Sequence, residues 1–429
     1  MKTDKKIVNA WCMYDWANSA YALVIISTIF PIYYGSVTIA ENGSDIVNFW
    51  GINISNSVLF TFSISFSYLV TAILSPLLSG IADYNGTKKT FMKIFCYLGA
   101  FSCMSLFFFT KDTLNFAIPA FVLSNIGFSG SIVFYNSYLP EIADKDEIDQ
   151  ISAKGFSMGY IGSVILLVLN LLLFTNKEIL SPFTDAPGAL AARISFLSVG
   201  IWWLGFAQIT FRKLPLSIAK PNLGHPFLSG IHEILKVAKE IKHLYFLKTF
   251  LLAFFLYSMG VQTVMYVATL FGEKELKIPS AQLQGIILLL QLIAIPGANL
   301  FAKVSHKIGN FKALSIIISV WIGICIGAYF VSSGIQFWVL AGVVGFVMGG
   351  VQSLSRSTYA KYIPENQDDT TSYFSFYDVM EKMSIVLGTI SYGIIDHLTG
   401  SMRNSTLVLG GYFILGLSVL LLLVRKQSK

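Results

Sequence analysis

Residues Trp11–Tyr34 read WCMYDWANSAYALVIISTIFPIYY. A helix needs about 20 predominantly apolar residues to cross a bilayer, and this stretch is long enough although it contains Asp15 and Asn18. An ionisable group inside such a helix costs roughly 2.5 to 3.5 kcal/mol, so it usually faces a cavity or a partner. Because Asp15, Asn18 and Ser19 stand at i, i+3 and i+4, they share one helical face. The stretch therefore predicts a membrane-spanning helix with a polar face.

The 429-residue chain has the composition of an integral membrane protein. Hydrophobic residues make up 55% of it, charged residues only 12%, and the mean hydropathy is +0.67. Charges, Pro, Asn or Gly separate successive apolar runs. The runs predict an all-α fold of twelve transmembrane helices at about 11–37, 58–82, 91–110, 114–139, 155–175, 189–211, 246–271, 281–303, 313–333, 335–358, 373–395 and 405–424.

Lys and Arg are distributed unevenly between the two predicted sides of the membrane. If the N-terminus is cytoplasmic, the cytoplasmic segments contain 23 of the 30 Lys and Arg, and the outer segments contain six. Because cytoplasmic loops carry an excess of these residues, we expect both termini in the cytoplasm. The net charge of +7 follows from this topology, and we expect no nucleic-acid partner, which would need a basic patch on one soluble face.

The longest connection joins spans six and seven and divides the chain into two halves. We predict an N-terminal six-helix bundle at 1–211, a cytoplasmic linker at 212–245 and a C-terminal six-helix bundle at 246–429. Within the linker, apolar residues recur at helical spacing and lysines are interleaved with them: Phe227, Ile231, Leu235, Ala238 and Ile241, with Lys236, Lys239 and Lys242. This pattern is typical of an amphipathic helix at the membrane interface, and the alternative is a simple tether.

Short basic turns join helices at corresponding places in the two halves. The first, IADYNGTKK at 81–89, follows span two, and the second, VSHKIGNFK at 304–312, follows span eight. The first resembles the loop signature of the major facilitator superfamily, in which an acid and basic residues beyond a glycine latch helices together on the cytoplasmic side. The resemblance assigns this latch to Asp83, Gly86, Lys88 and Lys89. It implies the superfamily fold of two parallel six-helix pseudo-repeats.

Three positions depart from this signature. Ser79 stands where a glycine is usual, and Tyr84 stands where an arginine is usual. In the second turn His306 occupies the acidic position, so we expect a weaker latch there.

Four further segments resemble the autophagy-related vacuolar effluxer family and its bacterial relatives, the "unknown major facilitator" group. They are YDWANSA at 14–20, FYNSYLPEIA at 134–143, SAKGFSMGYIG at 152–162 and GGVQSLSRS at 349–357. Together they extend the resemblance over nearly the whole chain. It departs at Met259, where the family commonly has an acid. The fungal members are associated with export of amino acids from the vacuole, and the substrates of the bacterial members are largely undefined.

The predicted depth of the helices collects several charged residues near the cytoplasmic mouth. Asp15, Asp378, Glu381, Lys382 and Arg356 are the candidates for proton coupling or an inner gate. Three interpretations compete: a gate, direct contact with substrate, and plain structural pairing. Asp378 and Lys382 stand at i, i+4 and could neutralise each other, whereas Glu381 has no such partner. Asp15 or Glu381 is therefore the candidate carrier of a coupling proton.

Polar residues nearer the midplane are the candidates for substrate contact. In this superfamily helices one, four, seven and ten line the cavity. The candidates on these helices are Asn18, Asn125, Gln262, Thr263 and Tyr266. The alternative is that such a residue hydrogen-bonds a neighbouring helix.

Glycines recur at helical spacing in two of the predicted spans. Gly155, Gly159 and Gly162 lie in span five, and Gly323 and Gly327 form a GxxxG pair in span nine. Small residues at such spacing allow helix backbones to approach closely within a membrane. We expect both sets to serve packing rather than chemistry.

These observations predict a secondary active transporter and not an enzyme. The sequence has no recognisable nucleophile, metal-ligand or cofactor motif, so we expect neither a cofactor nor a metal. We expect a monomer in the inner membrane of a bacterium that moves a small polar solute, for instance an amino acid, by alternating access and proton coupling. The alternatives are an exporter of drugs or metabolites, and a transport-inactive receptor or scaffold that keeps the fold.

Overall fold

The computed structural model describes residues 3–39, 43–217, 226–365 and 369–427, which are almost entirely helical. The α-helices are α1 (Lys5–Ala20), α2 (Ile29–Thr38), α3 (Asn56–Asn85), α4 (Lys88–Ser105), α5 (Leu114–Asn136), α6 (Leu139–Ile142), α7 (Ile148–Thr175), α8 (Pro187–Lys213), α9 (Pro226–His243), α10 (Tyr245–Lys274), α11 (Ser280–Ile308), α12 (Asn310–Phe330), α13 (Gly334–Tyr362), α14 (Thr370–Thr399) and α15 (Met402–Gln427). The other elements are a π-helical segment (Tyr21–Ile26), 3-10 turns (Leu106–Phe108, Lys111–Thr113 and Lys177–Phe183) and the strands β1 (Ile46–Phe49) and β2 (Ile52–Ser55).

Eleven helical segments in the described part of the chain are long and apolar enough to cross a membrane. The first of them, Lys5–Thr38, combines α1, the π-helical segment and α2. Predicted span eleven corresponds to α14, which has 30 residues but carries Asp378, Glu381 and Lys382 within its length. It packs against α3, α10 and α15. With α14 included, each of the twelve predicted spans has its own helical segment, and the chain is an all-α integral membrane protein.

The two ends of the bundle differ in what they carry. The backbone N–H of Asp144, just beyond α6, donates to Thr3 Oγ1 at 3.2 Å, and Lys426 lies 4.0 Å from the ring centre of Tyr245 at the start of α10. Both termini therefore lie at the same end, which we call the terminus face. The opposite end carries β1 and β2, and we call it the hairpin face.

Span one is interrupted, where the sequence predicts a single helix. The hydrogen bonding of α1 changes to the wider π pattern at Tyr21–Ile26, and regular α-helix resumes only at Ile29. The hydroxyl of Thr28 donates to the Leu23 carbonyl at 2.7 Å, and that of Ser27 donates to the Ala22 carbonyl at 3.0 Å. These side chains satisfy carbonyls that the regular ladder no longer uses. A π-helical turn of this kind is frequently found at a functional site.

The loop after span one forms a β-hairpin that the sequence analysis does not predict. Its strands pair antiparallel, with Phe49 opposite Ile52, and the turn residues Trp50 and Gly51 have φ of 47° and 86°. The Trp50 backbone N–H donates to the side chain of Asn115 at 3.0 Å, which ties the turn to the start of α5. The Trp50 side chain is 68% exposed. The hairpin therefore presents an aromatic side chain at the edge of the bundle.

The predicted linker, 212–245, contains a helix rather than a simple tether. Residues 218–225 lie outside the described part of the chain, as does the side chain of Phe227. Helix α9 crosses α3 so closely that a Cβ on Gly80 would collide with the backbone of Gly230. Val237 and Ile241 are buried on the same side of α9. The amphipathic pattern thus corresponds to a helix with one face docked on the bundle.

The two glycine sets behave differently. A Cβ at Gly155, Gly159 or Gly162 would collide with α1, so these positions allow α7 to approach it closely. The expectation for Gly323 is wrong, because no described atom lies within 4 Å of a Cβ built there. A Cβ built at Gly327 would lie 3.3 Å from the Leu340 side chain, so only this glycine of the pair is close to another helix. The spacing of a GxxxG pair defines a helix face but does not say whether another helix packs on it.

Candidate functional site

A cavity lies between the N-terminal and C-terminal halves of the bundle. Its empty volume is about 1490 Å³, which includes open solvent, and side chains of both halves line it. Seven of the residues predicted from the sequence are part of its wall: Asp15, Asn18, Gln262, Tyr266, Arg356, Glu381 and Lys382. The predicted site is therefore largely brought together in one place.

An ion pair joins the two halves at the terminus-face end of this cavity. Arg356 of α13 donates to Asp15 of α1 at 3.1 Å, and the Tyr135 hydroxyl donates to the same carboxylate oxygen at 2.8 Å. Both charged side chains are buried. Removing two charges from water is costly, and a pair in this position persists only because each charge is matched and hydrogen-bonded.

The guanidinium of Arg356 has further partners from α5 and α7. It donates to the Ser152 hydroxyl at 3.0 Å, the Ser152 carbonyl at 2.9 Å and the Asn136 side chain at 3.3 Å. It also stacks 4.1 Å from the ring centre of Phe156 and 4.8 Å from that of Trp11. Arginine suits this role because its planar group can both stack and donate in several directions.

The charged residues of α14 divide into a pair and a separate acid. Lys382 forms an ion pair with Asp378 one turn away, as the sequence spacing suggests, and the Ser75 hydroxyl donates to Asp378 at 3.0 Å. Asp378 lies behind the cavity wall. Glu381 lines the cavity and accepts a hydrogen bond from the Gln262 side-chain amide at 3.0 Å. Its hydrogen-bond partner is thus a neutral amide rather than an arginine, so this acid differs chemically from Asp15.

Two other predicted substrate residues face the cavity. In the described part of the chain, the side-chain N–H₂ of Asn18 is buried without a hydrogen-bond acceptor. Such a group costs roughly 1 to 3 kcal/mol when it is left unpaired. The Tyr266 hydroxyl forms a 2.5 Å hydrogen bond with that of Tyr68, which connects α10 to α3 across the two halves.

Asn125 and Thr263 do not line the cavity, contrary to the prediction. Asn125 donates to Ser67, so it joins α5 to α3 within the N-terminal half. Thr263 is fully buried where α10 contacts α14, against Gly388. The sequence predicts the depth of both residues, but depth does not decide whether a side chain turns toward the cavity or toward the next helix.

The predicted loop latch acts across the two halves. Asp83 at the end of α3 accepts hydrogen bonds from the backbone N–H of Ser372 at 2.7 Å and of Thr371 at 3.3 Å. It thereby caps the N-terminus of α14, where free N–H groups and the helix dipole favour a carboxylate. Gly86 ends α3 with a φ of 64°, a conformation that favours glycine.

The two lysines of the latch have different partners. Lys88 is buried and forms hydrogen bonds with Glu141 of α6 and with Thr370 of α14, at 3.0 Å for the latter. Lys89 instead donates to the Leu214 carbonyl beyond α8 at 2.7 Å, within its own half. Only Lys88 therefore contributes to the contact between the halves.

The second latch takes its acid from the other half of the chain. Asp149 in the first turn of α7 accepts from Asn310 at 2.7 Å, from Ser305 at 2.8 Å and from Lys361 at 2.5 Å. The position that the first turn fills with an acid is His306 here, and it is exposed. Sequence reasoning missed Asp149 because it searched for the acid within the turn itself.

Helix α9 also holds the start of α14. Lys236 donates to Asp369 at 2.8 Å, and the Tyr373 hydroxyl donates to Glu240 at 2.6 Å. Burial lowers the pKa of Lys236, but its hydrogen bond and charge pairing with Asp369 outweigh burial and raise the pKa above its usual value. The linker helix thus carries a cation fixed at the terminus-face end of α14.

Together these contacts close the cavity at the terminus face. The pairs Asp15–Arg356 and Asp83–Ser372 lie toward that end, as do the contacts of Asp149. Tyr160 donates to Gln352 at 2.6 Å between α7 and α13, further along the same interface. The two halves are therefore held together on the side where the termini lie.

Comparison with known proteins identifies the group to which these features belong. The family model described as "Vacuole effluxer Atg22 like" matches residues 3–429. YxiO of Bacillus subtilis, an uncharacterised transporter of the major facilitator superfamily (MFS) type, is 30% identical. The match covers 100% of this chain and 97% of that one. Autophagy-related protein 22 of the yeast Vanderwaltozyma polyspora is 24% identical, with 100% and 93% covered.

Solved structures with the same fold are transporters of the major facilitator superfamily. The human organic anion transporter MFSD10 superposes with a TM-score of 0.66 at 14% identity, covering 98% of this chain and 100% of that chain. FucP in the outward conformation superposes with a TM-score of 0.69 at 12% identity, covering 96% and 97%. The fold, the shared cavity and the family match lead to one conclusion: this chain belongs to the Atg22-like vacuole effluxer family and is a membrane transporter of the major facilitator superfamily rather than an enzyme.

Proposed function

We propose that this protein is a proton-coupled secondary transporter that moves a small polar solute by alternating access through the cavity between its halves. The observation that carries the proposal is the cavity itself, which has charged and amide side chains from both halves in its wall. A solute bound there contacts both halves, so its binding free energy can favour one arrangement of the halves over another.

We infer that Glu381 carries the coupling proton and that Asp15 is a gate partner. Asp15 is matched by the permanent charge of Arg356. Glu381 has a neutral amide as its hydrogen-bond partner, and it lies in the cavity wall where solute and water reach it. An acid in the wall of the cavity can exchange a proton as the cavity opens, whereas the carboxylate of Asp15 is engaged by an arginine that joins the two halves.

The solute we propose is an amino acid. Glu381 and Lys382 place opposite charges in one wall, although the lysine also pairs with Asp378, and the amide of Asn18 lies in another wall. A solute with both an ammonium and a carboxylate group would match these side chains. We further propose that a monomer is the working unit in the cytoplasmic membrane of a bacterium, with the terminus face in the cytoplasm because the Lys and Arg excess lies on that side.

The test compares Glu381→Gln with Asp396→Asn, an acid of the same helix outside the cavity wall. Each variant is reconstituted into liposomes, and each of the common amino acids is offered in radiolabelled form with and without an imposed pH gradient. The parent and Asp396→Asn should accumulate a solute only with the gradient. Glu381→Gln should lose accumulation but retain exchange of labelled for unlabelled solute, because exchange does not require proton release.

Other outcomes would contradict separate parts of the proposal. Accumulation by Glu381→Gln with the parent's pH dependence would exclude Glu381 as the proton carrier. Transport of none of the amino acids by the parent would exclude that solute class. Accumulation that follows a sodium gradient and ignores pH would exclude proton coupling.

A further inference from the structure

The face of α9 turned away from the bundle combines apolar and basic side chains. Leu235 is 56% exposed and Ile231 is 37% exposed, and both leave large apolar surface uncovered. Lys239 and Lys242 are exposed on the same side of the helix. Exposure of leucine and isoleucine to water is unfavourable. A helix surface in the membrane interface instead accommodates both the apolar side chains and the lysines.

The position of α9 along α3 agrees with the membrane interface. The lipid-facing side of α3 is marked by large exposed apolar residues, namely Phe62, Phe66, Leu69 and Ile73. Helix α9 crosses α3 at Gly80, seven residues beyond the last of these, which corresponds to about 10 Å of helix rise. The headgroup layer begins at the edge of a hydrocarbon core about 30 Å thick, so a crossing just beyond the apolar surface falls within it.

We propose that the outward face of α9, consisting of Ile231, Leu235, Lys239 and Lys242, binds the headgroups of anionic phospholipids. The lysines pair with phosphate and with the extra negative charge of an anionic headgroup, while the two apolar side chains enter the boundary of the acyl chains. This surface is independent of the solute cavity, and the proposal does not depend on what is transported.

Other residues of the same helix connect the lipid contact to α14. Lys236 and Glu240 hold Asp369 and Tyr373 at the start of α14, the helix that carries Glu381. Anionic lipid that orders α9 therefore stabilises these contacts and with them the closed terminus face. Lipid composition would shift the balance between the two arrangements of the halves without touching the cavity.

The test places a fluorescent label on the proposed surface. The four native cysteines are buried, so a bimane label on Leu235→Cys reports from α9 alone. The labelled protein is reconstituted into phosphatidylcholine liposomes that contain equal amounts of brominated lipid, either phosphatidylglycerol or phosphatidylcholine. Brominated phosphatidylglycerol should quench the label more strongly than brominated phosphatidylcholine. High salt should weaken that preference.

Two charge variants provide the comparison. Adding Lys239→Gln and Lys242→Gln should reduce the preference for the anionic lipid by roughly tenfold, since each lysine near an anionic surface attracts it measurably. Lys274→Gln with Lys277→Gln removes the same charge from the hairpin face and should leave the preference unchanged. Equal quenching by both lipids would overturn the anionic preference, and absence of quenching by either would place α9 outside the membrane and overturn the proposal.

Discussion

Arg356 shows how a single side chain can connect both halves of this protein. It leaves α13 of the C-terminal half and meets Asp15, Asn136 and Ser152 of the N-terminal half, between aromatic rings. Breaking a buried pair by removing one partner costs about 3 to 5 kcal/mol, because the other charge stays buried. The closed terminus face should therefore depend strongly on this residue.

We predict that Arg356→Lys opens the terminus face, because lysine keeps the charge but cannot stack or donate in several directions. The measurement is the rate at which a thiol reagent, applied from the terminus side, modifies Ser258→Cys in the cavity wall. Loss of one charged hydrogen bond of about 1.5 to 3 kcal/mol should raise this rate at least tenfold. Arg403→Lys, which changes an arginine at the hairpin face, should leave it unchanged. Equal rates in the two variants would mean that Arg356 does not hold the face closed.

The sequence reveals which residues carry charge inside the membrane but not how each is paired. Asp15 can be recognised because an acid in an apolar run is rare. The i, i+4 spacing of Asp378 and Lys382 predicts that these two side chains pair. The pairing of Asp15 with Arg356 joins positions far apart in the chain, so no local pattern contains it. For a related reason the sequence does not show that Asn125 faces Ser67 rather than the cavity. Rotation of a helix by a fraction of a turn decides whether an amide faces solvent or a neighbouring helix.

Among the elements, the two interhelical latches use the same chemistry, because each binds an acid of the N-terminal half to donors of the C-terminal half. Asp83 at the end of α3 caps α14, and Asp149 at the start of α7 binds the turn between α11 and α12. In both cases a buried carboxylate accepts several donors from the opposite half. Each latch loses its charge-assisted hydrogen bonds if the acid is replaced.

We therefore predict that Asp149→Asn weakens closure in the same direction as Asp83→Asn. The amide that replaces the carboxylate leaves Lys361 without its ion pair and gives Asn310 a weaker acceptor. The reactivity of Ser258→Cys from the terminus side should rise in both variants. Asp146→Asn, an exposed acid just before α7, serves as the matched control. If Asp149→Asn behaved like this control while Asp83→Asn did not, only the first latch would be functional.

The glycines of α7 and α12 provide a second test at the scale of elements. Gly159→Ala places a methyl group against Ser19 of α1 and should destabilise the N-terminal half, since overpacking typically costs about 1 to 3 kcal/mol. Gly323→Ala meets open space and should be neutral or stabilise α12 by up to about 1 kcal/mol. The midpoint of thermal unfolding in detergent distinguishes them. A similar decrease in both would contradict the close contact of α7 with α1.

At the scale of the whole molecule, the sequence predicted more than it did at the scale of residues. Apolar length and charge separation are properties of a whole segment, so the number and order of helices follow from composition. The hairpin β1–β2 and the interruption of span one are short and depend on local hydrogen bonding, so an average over 20 residues hides them. The amphipathic pattern of α9 could be recognised in the sequence because it extends over several helical turns.

The orientation of the molecule remains a prediction with a direct test. Single cysteines at Ser44 and Ser401, on a cysteine-free background, should react with an impermeant reagent in intact cells. Glu147, which is exposed at the terminus face, is the matching position on the other side. A cysteine there should react only after permeabilisation. The reverse pattern would invert the orientation, and reaction of all three from outside would contradict the predicted number of spans.

The π-helical segment Tyr21–Ile26 also bears on how homologous chains differ in length. A π-helical turn accommodates one residue more than an α-helical turn, so it corresponds to a single insertion in a regular helix. Deleting that one residue would restore a regular turn and keep the orientation of α1 relative to the rest of the span, because the wider π turn takes up the extra residue. Asp15 would then still face Arg356. A homologue that is one residue shorter between its counterparts of Tyr21 and Ile26 should therefore keep this ion pair, and a one-position gap in an alignment would mark a lineage without the insertion.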